Sequence, residues 1–247
     1  QDLVLLGEDA SFTIMRNLGN AEFKLVEFKY KPFFWGSGTI IDIDNDQDLD
    51  IVVSIEPGVE AKEKWLVLRN LGGFQFENAV ESYFLHGAMS AEQVVGVDLD
   101  LNGLNDLVAG FDQYKFVEEK EHSYFLRQGE LKGKKMFSFE TLLANSSFSS
   151  SRMILQDFDN SGRPGLVGIN DRNELWLMNN QNRVPYTAMK LVPSVKNLGT
   201  KIVLQTNRKK SYLYELRLKD GAWSSLSSSY SFGLAPLEQP LFYTLYY

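Results

Sequence analysis

Cysteine is absent from this 247-residue chain. Its absence excludes disulfides, thiolate catalysis and any cysteine-ligated zinc or iron–sulfur centre. Histidine is scarce: His86 and His122 are the only two, too little material for a histidine-centred catalytic or metal site. Positive charge is in deficit, with 25 Lys and Arg against 32 Asp and Glu and a net charge of −7. A field of that sign repels phosphate backbones and anionic lipid, so no nucleic-acid partner is expected. Runs of 18 apolar residues are missing, as is a charged segment leading into an apolar one. Neither membrane insertion by this segment nor a signal peptide is expected. What is present is 44% hydrophobic and 23% charged residues, a globular balance that can bury a core. At about 100–200 residues per domain, the length suits one large domain or two small ones. The chain opens on Gln1 and runs at once into strand-like Leu3-Val4-Leu5-Leu6, as expected of a piece of a longer polypeptide.

Self-similarity organises the sequence. Three segments share one pattern: Asp42-Ile43-Asp44-Asn45-Asp46-Gln47-Asp48-Leu49-Asp50, Asp98-Leu99-Asp100-Leu101-Asn102-Gly103-Leu104-Asn105-Asp106, and Asp157-Phe158-Asp159-Asn160-Ser161-Gly162-Arg163-Pro164-Gly165. Each places oxygen-bearing side chains at positions one, three and five. The first two add Asp at position nine, and an apolar run follows every time. Asp98 lies 56 residues after Asp42, and Asp157 lies 59 after Asp98. Stepping back 48 residues from Asp50 reaches Asp2, ahead of another apolar run, so the chain is expected to begin near the end of a fourth loop.

A second repeated element lies downstream. Thr13-Ile14-Met15-Arg16-Asn17-Leu18-Gly19 matches Leu66-Val67-Leu68-Arg69-Asn70-Leu71-Gly72, and 124–129 and 175–180 are weaker copies. Each is a β-prone run stopping at an Asn or Gly turn. Aromatic strands are expected at 23–28, 74–76 and 137–139, and strands leading into the next loops at 94–97 and 153–155. Apolar residues cluster in short β-branched or aromatic runs, which excludes a helical reading. Four strands in roughly 50–60 residues is the size of a β-propeller blade. The expected fold is therefore all-β: a partial or fragmentary propeller of roughly four-stranded blades over 1–192, about three of them complete and the N-terminal one truncated. A small β domain is expected over 193–247. The mixed charges at 115–122 read as a solvated loop. A half ring leaves sheet edges and an apolar face exposed, so a protein partner or the remainder of a longer propeller chain is expected to cover it.

The loop chemistry points to a hard cation. Calcium takes oxygen ligands in a flexible cage at about 2.3–2.6 Å, and alternate residues of a tight loop turn their side chains to one point. Carboxylates about 4 Å apart repel by roughly 1–4 kcal/mol per pair for effective dielectrics of 80 down to 20, a penalty that a cation relieves. The EF-hand is excluded, since its twelfth position, a bidentate Glu, is Val53 or Ala109 here, inside strand-like sequence. The second loop has the cleanest pattern. The first has Gln47 at position six, where glycine would ease the turn. The third has Gly165 at position nine and is expected either to bind weakly or to serve as a bare Asx turn.

Asp-x-Asp-x-Asp/Asn-Gly-x-x-Asp followed by Leu-Val resembles the FG-GAP/VCBS repeat, the calcium loop of integrin-α-type propellers. The resemblance covers roughly residues 1–190 and is closer to the VCBS branch, because the Phe-Gly and Gly-Ala-Pro signatures survive only as Trp35-Gly36 and Ala109-Gly110. It implies side-chain ligands at positions one, three, five and nine and a carbonyl at seven. In the first loop these are Asp42, Asp44, Asp46 and Asp50 with the carbonyl of Asp48. In the second they are Asp98, Asp100, Asn102 and Asp106 with the carbonyl of Leu104. The third matches only at Asp157, Asp159 and Ser161 with the carbonyl of Arg163. The tail is similar to the small β domain of ASPIC/UnbV proteins and of T-cell immunomodulatory-type surface proteins, through its Gly turn, its Ser-rich stretch and Phe232-Gly233-Leu234. Ala235 departs from that pattern, and the Ser run 224–229 reads equally well as a flexible loop.

The resemblance implies a calcium-binding interaction or adhesion module that is not an enzyme, with calcium structural in the blade loops. Extracellular calcium modules bind at about 10⁻⁴–10⁻³ M, so an extracellular, cell-surface or periplasmic location is expected. Asn145-Ser146-Ser147 is a glycosylation sequon compatible with that route. Two alternatives stand beside this reading. One is a lectin-like glycan binder using Trp35, Trp65, Trp176 or Trp223, although tryptophans in β-prone runs more often build core. The other is an accessory part of a carbohydrate-active or phosphoester-cleaving enzyme, although the acidic spacing suits one cation better than an acid–base pair.

Overall fold

The computed structural model describes residues 2–6, 12–28, 35–55, 64–79, 83, 91–110, 124–131, 134–141, 152–169, 173–181, 187–191, 200–215, 230–234 and 238–246. Both histidines, the 115–122 charge run, Asn145, Trp223 and the Ser run 224–229 lie outside them. The described chain is all-β, in six separate antiparallel sheets. Among the described residues no helix is long and apolar enough to cross a membrane.

Four sheets follow one another as meanders. The first holds β1 (Leu3–Leu6), β2 (Phe12–Gly19) and β3 (Glu22–Phe28). The second holds β4 (Trp35–Ile41), β5 (Asp50–Ile55), β6 (Trp65–Asn70) and β7 (Phe76–Asn78). The third holds β8 (Gln93–Val97), β9 (Asp106–Gly110), β10 (Tyr124–Leu131) and β11 (Lys134–Thr141). The fourth holds β12 (Met153–Gln156), β13 (Gly165–Ile169) and β14 (Leu175–Met178). The strand expected at 74–76 starts later, at Phe76, because Gly72, Gly73 and Phe74 all take positive φ in the preceding turn.

The alternation within the central strands explains how these sheets stack. On β5, Ile51 and Val53 join a core with Phe12, Ile14, Leu66 and Leu68, between the first and second sheets. Val52, between them, faces the opposite core with Trp65, Val67, Val94, Leu107, Ala109 and Leu126, between the second and third. On β9, Leu107 and Ala109 face that core, while Val108 faces a third with Phe125, Met153 and Leu166. Strands buried on both faces read as continuous apolar runs. A fully buried side chain such as Leu68 or Leu107 contributes roughly 1.5–3 kcal/mol.

The leading strands of successive sheets are stitched by side chains. Val94 N donates to Ser37 Oγ (3.1 Å) and Gly96 N to Thr39 Oγ1 (3.3 Å). Gln93 acts as a reciprocal clamp on the next strand: its Nε2 donates to Met153 O (2.9 Å) and its Oε1 accepts from Met153 N (2.6 Å). A Cβ on Gly96 would lie 2.2 Å from Ile41 Cγ2, so this approach of β8 to β4 requires glycine. Among the described residues these sheets stack face to face in chain order, join along one edge and close into no barrel, a partial propeller-like array.

Beyond it lie β15 (Thr187–Leu191), β16 (Lys201–Thr206), β17 (Ser211–Glu215), β18 (Tyr230–Leu234) and β19 (Pro240–Tyr246). β16 is the centre of a three-stranded sheet with β17 and β19, and β15 pairs with β18. The pairing of β15 with β18 spans the division expected at 192/193.

Candidate metal centre

Each repeated loop hangs between a fixed pair of strand residues: Ile41↔Asp50, Val97↔Asp106 and Gln156↔Gly165. From that common frame the three loops fold alike. The position-one carboxylate accepts the amides of positions five and six. Asp42 takes Asp46 N and Gln47 N (both 3.1 Å), Asp98 takes Asn102 N (2.9 Å) and Gly103 N (3.1 Å), and Asp157 takes Ser161 N (2.9 Å) and Gly162 N (3.1 Å). The position-five side chain then accepts the amide of position seven: Asp46 from Asp48, Asn102 from Leu104, Ser161 from Arg163. Positions four and six take positive φ in all three loops, at Asn45 and Gln47, Leu101 and Gly103, Asn160 and Gly162. These bonds are nested Asx turns, and they wrap the backbone around the position-one side chain.

Position nine separates the loops. Asp50 accepts Ile43 N through Oδ2 and Asn70 N through Oδ1, both at 2.8 Å. Asp106 accepts Leu99 N (2.9 Å) and Gln128 N (2.7 Å) in the same arrangement. Each closing carboxylate thus ties its loop to the third strand of its own blade. Asp2 Oδ1 accepts Asn17 N at 2.7 Å, the same cross-strand bond, so Asp2 occupies a position-nine place in the first sheet. The third loop has Gly165 there, and a Cβ at that point would lie 2.8 Å from Met178 O.

Two acidic clusters result, Asp42–Asp44–Asp50 and Asp98–Asp100–Asp106, each offering three carboxylate oxygens within 4.8 Å of one another. Oxygens bound to one calcium at about 2.3–2.6 Å lie no more than about 5 Å apart, so either cluster fits a single ion. Asp46 and Asp48 fall outside the first cluster. Among the described residues, Asp157 and Asp159 form no such cluster.

Burial is the main electrostatic force on these groups. It pushes Asp42 and Asp50 up to about 7, while backbone amides pull them down and neighbouring carboxylates push up. Asp98 is also raised to about 7 and Asp106 well above its ordinary value, by burial first. Exposed Asp159 is lowered instead, chiefly by Ser161. Buried carboxylates held at this energetic disadvantage are what a hard cation would relieve.

Sequence reasoning missed the residues around the carboxylates. Arg127 Nε and Nη2 both reach Asp100 Oδ2 at 2.5 Å. In the preceding blade Arg69 Nη1 stands 3.7 Å from Asp44 Oδ2. Gln128 is buried; its Nε2 donates to Ile43 O (2.8 Å), while its Oε1 has no hydrogen-bond partner among the described residues. Asn180 Nδ2 repeats that link one blade on, donating to Leu99 O (2.6 Å). The signal was the Arg-Asn/Gln pair shared by β2, β6 and β10, at 16–17, 69–70 and 127–128, which reads from sequence only as a turn. Of the tryptophans, Trp65 is 1% exposed within the core, and Trp176 packs against the third core.

No family model and no curated protein matches the chain.

Proposed function

We propose that this chain is a calcium-binding interaction module in which the ions are structural, one in the first loop and one in the second. The observation that carries the reading is the pair of three-carboxylate clusters, built in two blades by the same hydrogen bonds and each compact enough for one ion. The donor set is oxygen only, which suits calcium rather than a transition metal. The FG-GAP/VCBS likeness of the loop residues supports the same assignment and extends it to adhesion or ligand binding outside the cell or in the periplasm. There, millimolar calcium would keep sites of about 10⁻⁴–10⁻³ M affinity filled. A protein partner, or further blades of a longer chain, completes this reading.

Metal analysis of the purified protein and thermal unfolding with and without millimolar calcium test it. The expected outcome is a midpoint raised by calcium, with Asp42→Ala and Asp98→Ala each removing part of the rise. The absence of both bound metal and a calcium response would overturn it.

A further inference from the structure

We propose that the second loop is a gated cation site whose lid is the C-terminal β unit. An ion in the second loop leaves only when β18 lifts, whereas an ion in the first loop exchanges faster, without that step. The inference rests on the reading of both loops as cation sites.

The lid is in place through direct contact with the second loop. Gly233 N, 135 residues along the chain, donates to Asp98 Oδ2 at 2.7 Å. That oxygen also accepts Gly103 N, so one carboxylate holds both the loop and β18. The contact is backbone on backbone: a Cβ on Gly233 would lie 1.8 Å from Leu101 O. Tyr212 of β17 closes the other side, with its ring and hydroxyl 3.1 Å from where a Cβ on Gly103 would stand. The Tyr212 hydroxyl donates to buried Glu238 at 3.2 Å, and Glu238 in turn accepts from Thr206 Oγ1.

The two loops differ in what seals them. Asp98, Asp100 and Asp106 are 5%, 6% and 0% exposed. In the first loop Asp42 and Asp50 are as buried, at 2% and 0%, but the amides that cap them all come from their own blade, and the Asp44 side chain is 18% exposed against 6% for Asp100. An ion whose ligands are closed off from water escapes through a local opening, so its release rate reports that opening. By linkage, the ion in turn holds the lid closed.

The test is calcium release from the loaded full chain into excess fluorescent chelator, followed by stopped flow. Two phases of equal amplitude are expected, with Asp42→Ala removing the fast one and Asp98→Ala the slow one. Gly233→Ala, which cannot seat against Leu101, is expected to speed the slow phase by at least about tenfold while keeping its amplitude. Tyr212→Phe keeps the ring and loses the bond to Glu238. It is expected to speed the slow phase about threefold, the scale of one hydrogen bond, and it serves if Gly233→Ala does not fold. A single fast phase, a slow phase that follows Asp42, or a slow rate unchanged in both lid variants overturns the lid. Loaded protein carrying no calcium at all overturns the reading of the loops, and the lid with it.

Discussion

The Arg127 guanidinium grips Asp100 Oδ2 with two nitrogens at 2.5 Å, so the position-three carboxylate of the second loop already carries a tethered cation. Arg69 takes the same place beside Asp44 and also bridges Glu77 at 2.6 Å. In the fourth sheet, where Met178 takes the register place of Leu126, the corresponding residue is Asn179, and Asp159 accepts the amide of Ser161 instead.

A divalent ion bound in the second loop would share Asp100 with this arginine. Charges of +2 and +1 about 5 Å apart repel by roughly 2–3 kcal/mol for effective dielectrics between 80 and 40, and the half-exposed arginine is screened below that. Arg127→Met is therefore expected to tighten calcium binding at the second loop by about tenfold, with the first loop unchanged. Titration calorimetry of the single variant and of its combination with Asp42→Ala resolves the two sites. Weaker binding in the variant would show instead that Arg127 holds Asp100 in place for the ion.

Acidity sets the stability of the cation-free protein. Burial holds Asp42, Asp50 and Asp98 at about 7 and Asp106 well above its ordinary value, whereas the same groups unfolded titrate near about 3.9. Across that interval the folded state binds more protons than the unfolded state, so these groups make stability fall as pH rises. In chelator, the unfolding midpoint is expected to decline from pH 5 to pH 8. Calcium binds the ionised carboxylates, so the midpoint gain on adding it is expected to grow over the same range. Scanning fluorimetry at four pH values, with chelator and with calcium, checks both slopes. A chelated midpoint that climbs steadily toward pH 8 would sink this account.

Gln47 holds φ of 78° at position six, where the other loops have Gly103 at 85° and Gly162 at 80°. A residue with a Cβ in the left-handed region is strained by roughly 1–2 kcal/mol, partly offset by the greater freedom glycine has when unfolded. Gln47→Gly is expected to raise stability by about 0.5–1 kcal/mol, read as a higher urea midpoint at constant slope. Calcium affinity is expected to be kept, because position six contributes its backbone amide to Asp42, which glycine retains.

The strands and loop frames were legible because they depend on local pattern. Alternating oxygen-bearing residues at 42–50 and 98–106 gave the cluster members, and spacing alone placed Asp2 at position nine, where Asn17 N now caps it. What was hidden depends on chain segments far apart in sequence. Nothing near Asp98 announces Gly233, and nothing near Gln93 announces its clamp on Met153. Arg69 and Arg127 were visible as letters of a repeat, yet their role as carboxylate partners appears only once β6 and β10 lie beside their loops. Asp46 was expected beside Asp42, Asp44 and Asp50, with Asp48 offering its carbonyl; the turn geometry gathers the carboxylates of Asp42, Asp44 and Asp50, while Asp46 accepts the amide of Asp48.

The third loop raises the question of whether its missing carboxylate can be restored. Its frame matches the other two down to the amides of Ser161 and Gly162 on Asp157, which invites Gly165→Asp as a repair. The neighbouring strand argues against it. The Cβ of any residue at 165 would stand 2.8 Å from Met178 O and 3.4 Å from the Phe158 ring, and the Leu166↔Met178 pairing fixes that carbonyl in the sheet. Relief requires β13 and β14 to part, at roughly 1–3 kcal/mol for an overpacked site. Gly165→Asp is therefore expected to lower the unfolding midpoint and to leave calcium stoichiometry by titration calorimetry unchanged. A third equivalent of calcium in this variant would show that the third loop lacks only a ligand and that its strand neighbour can yield.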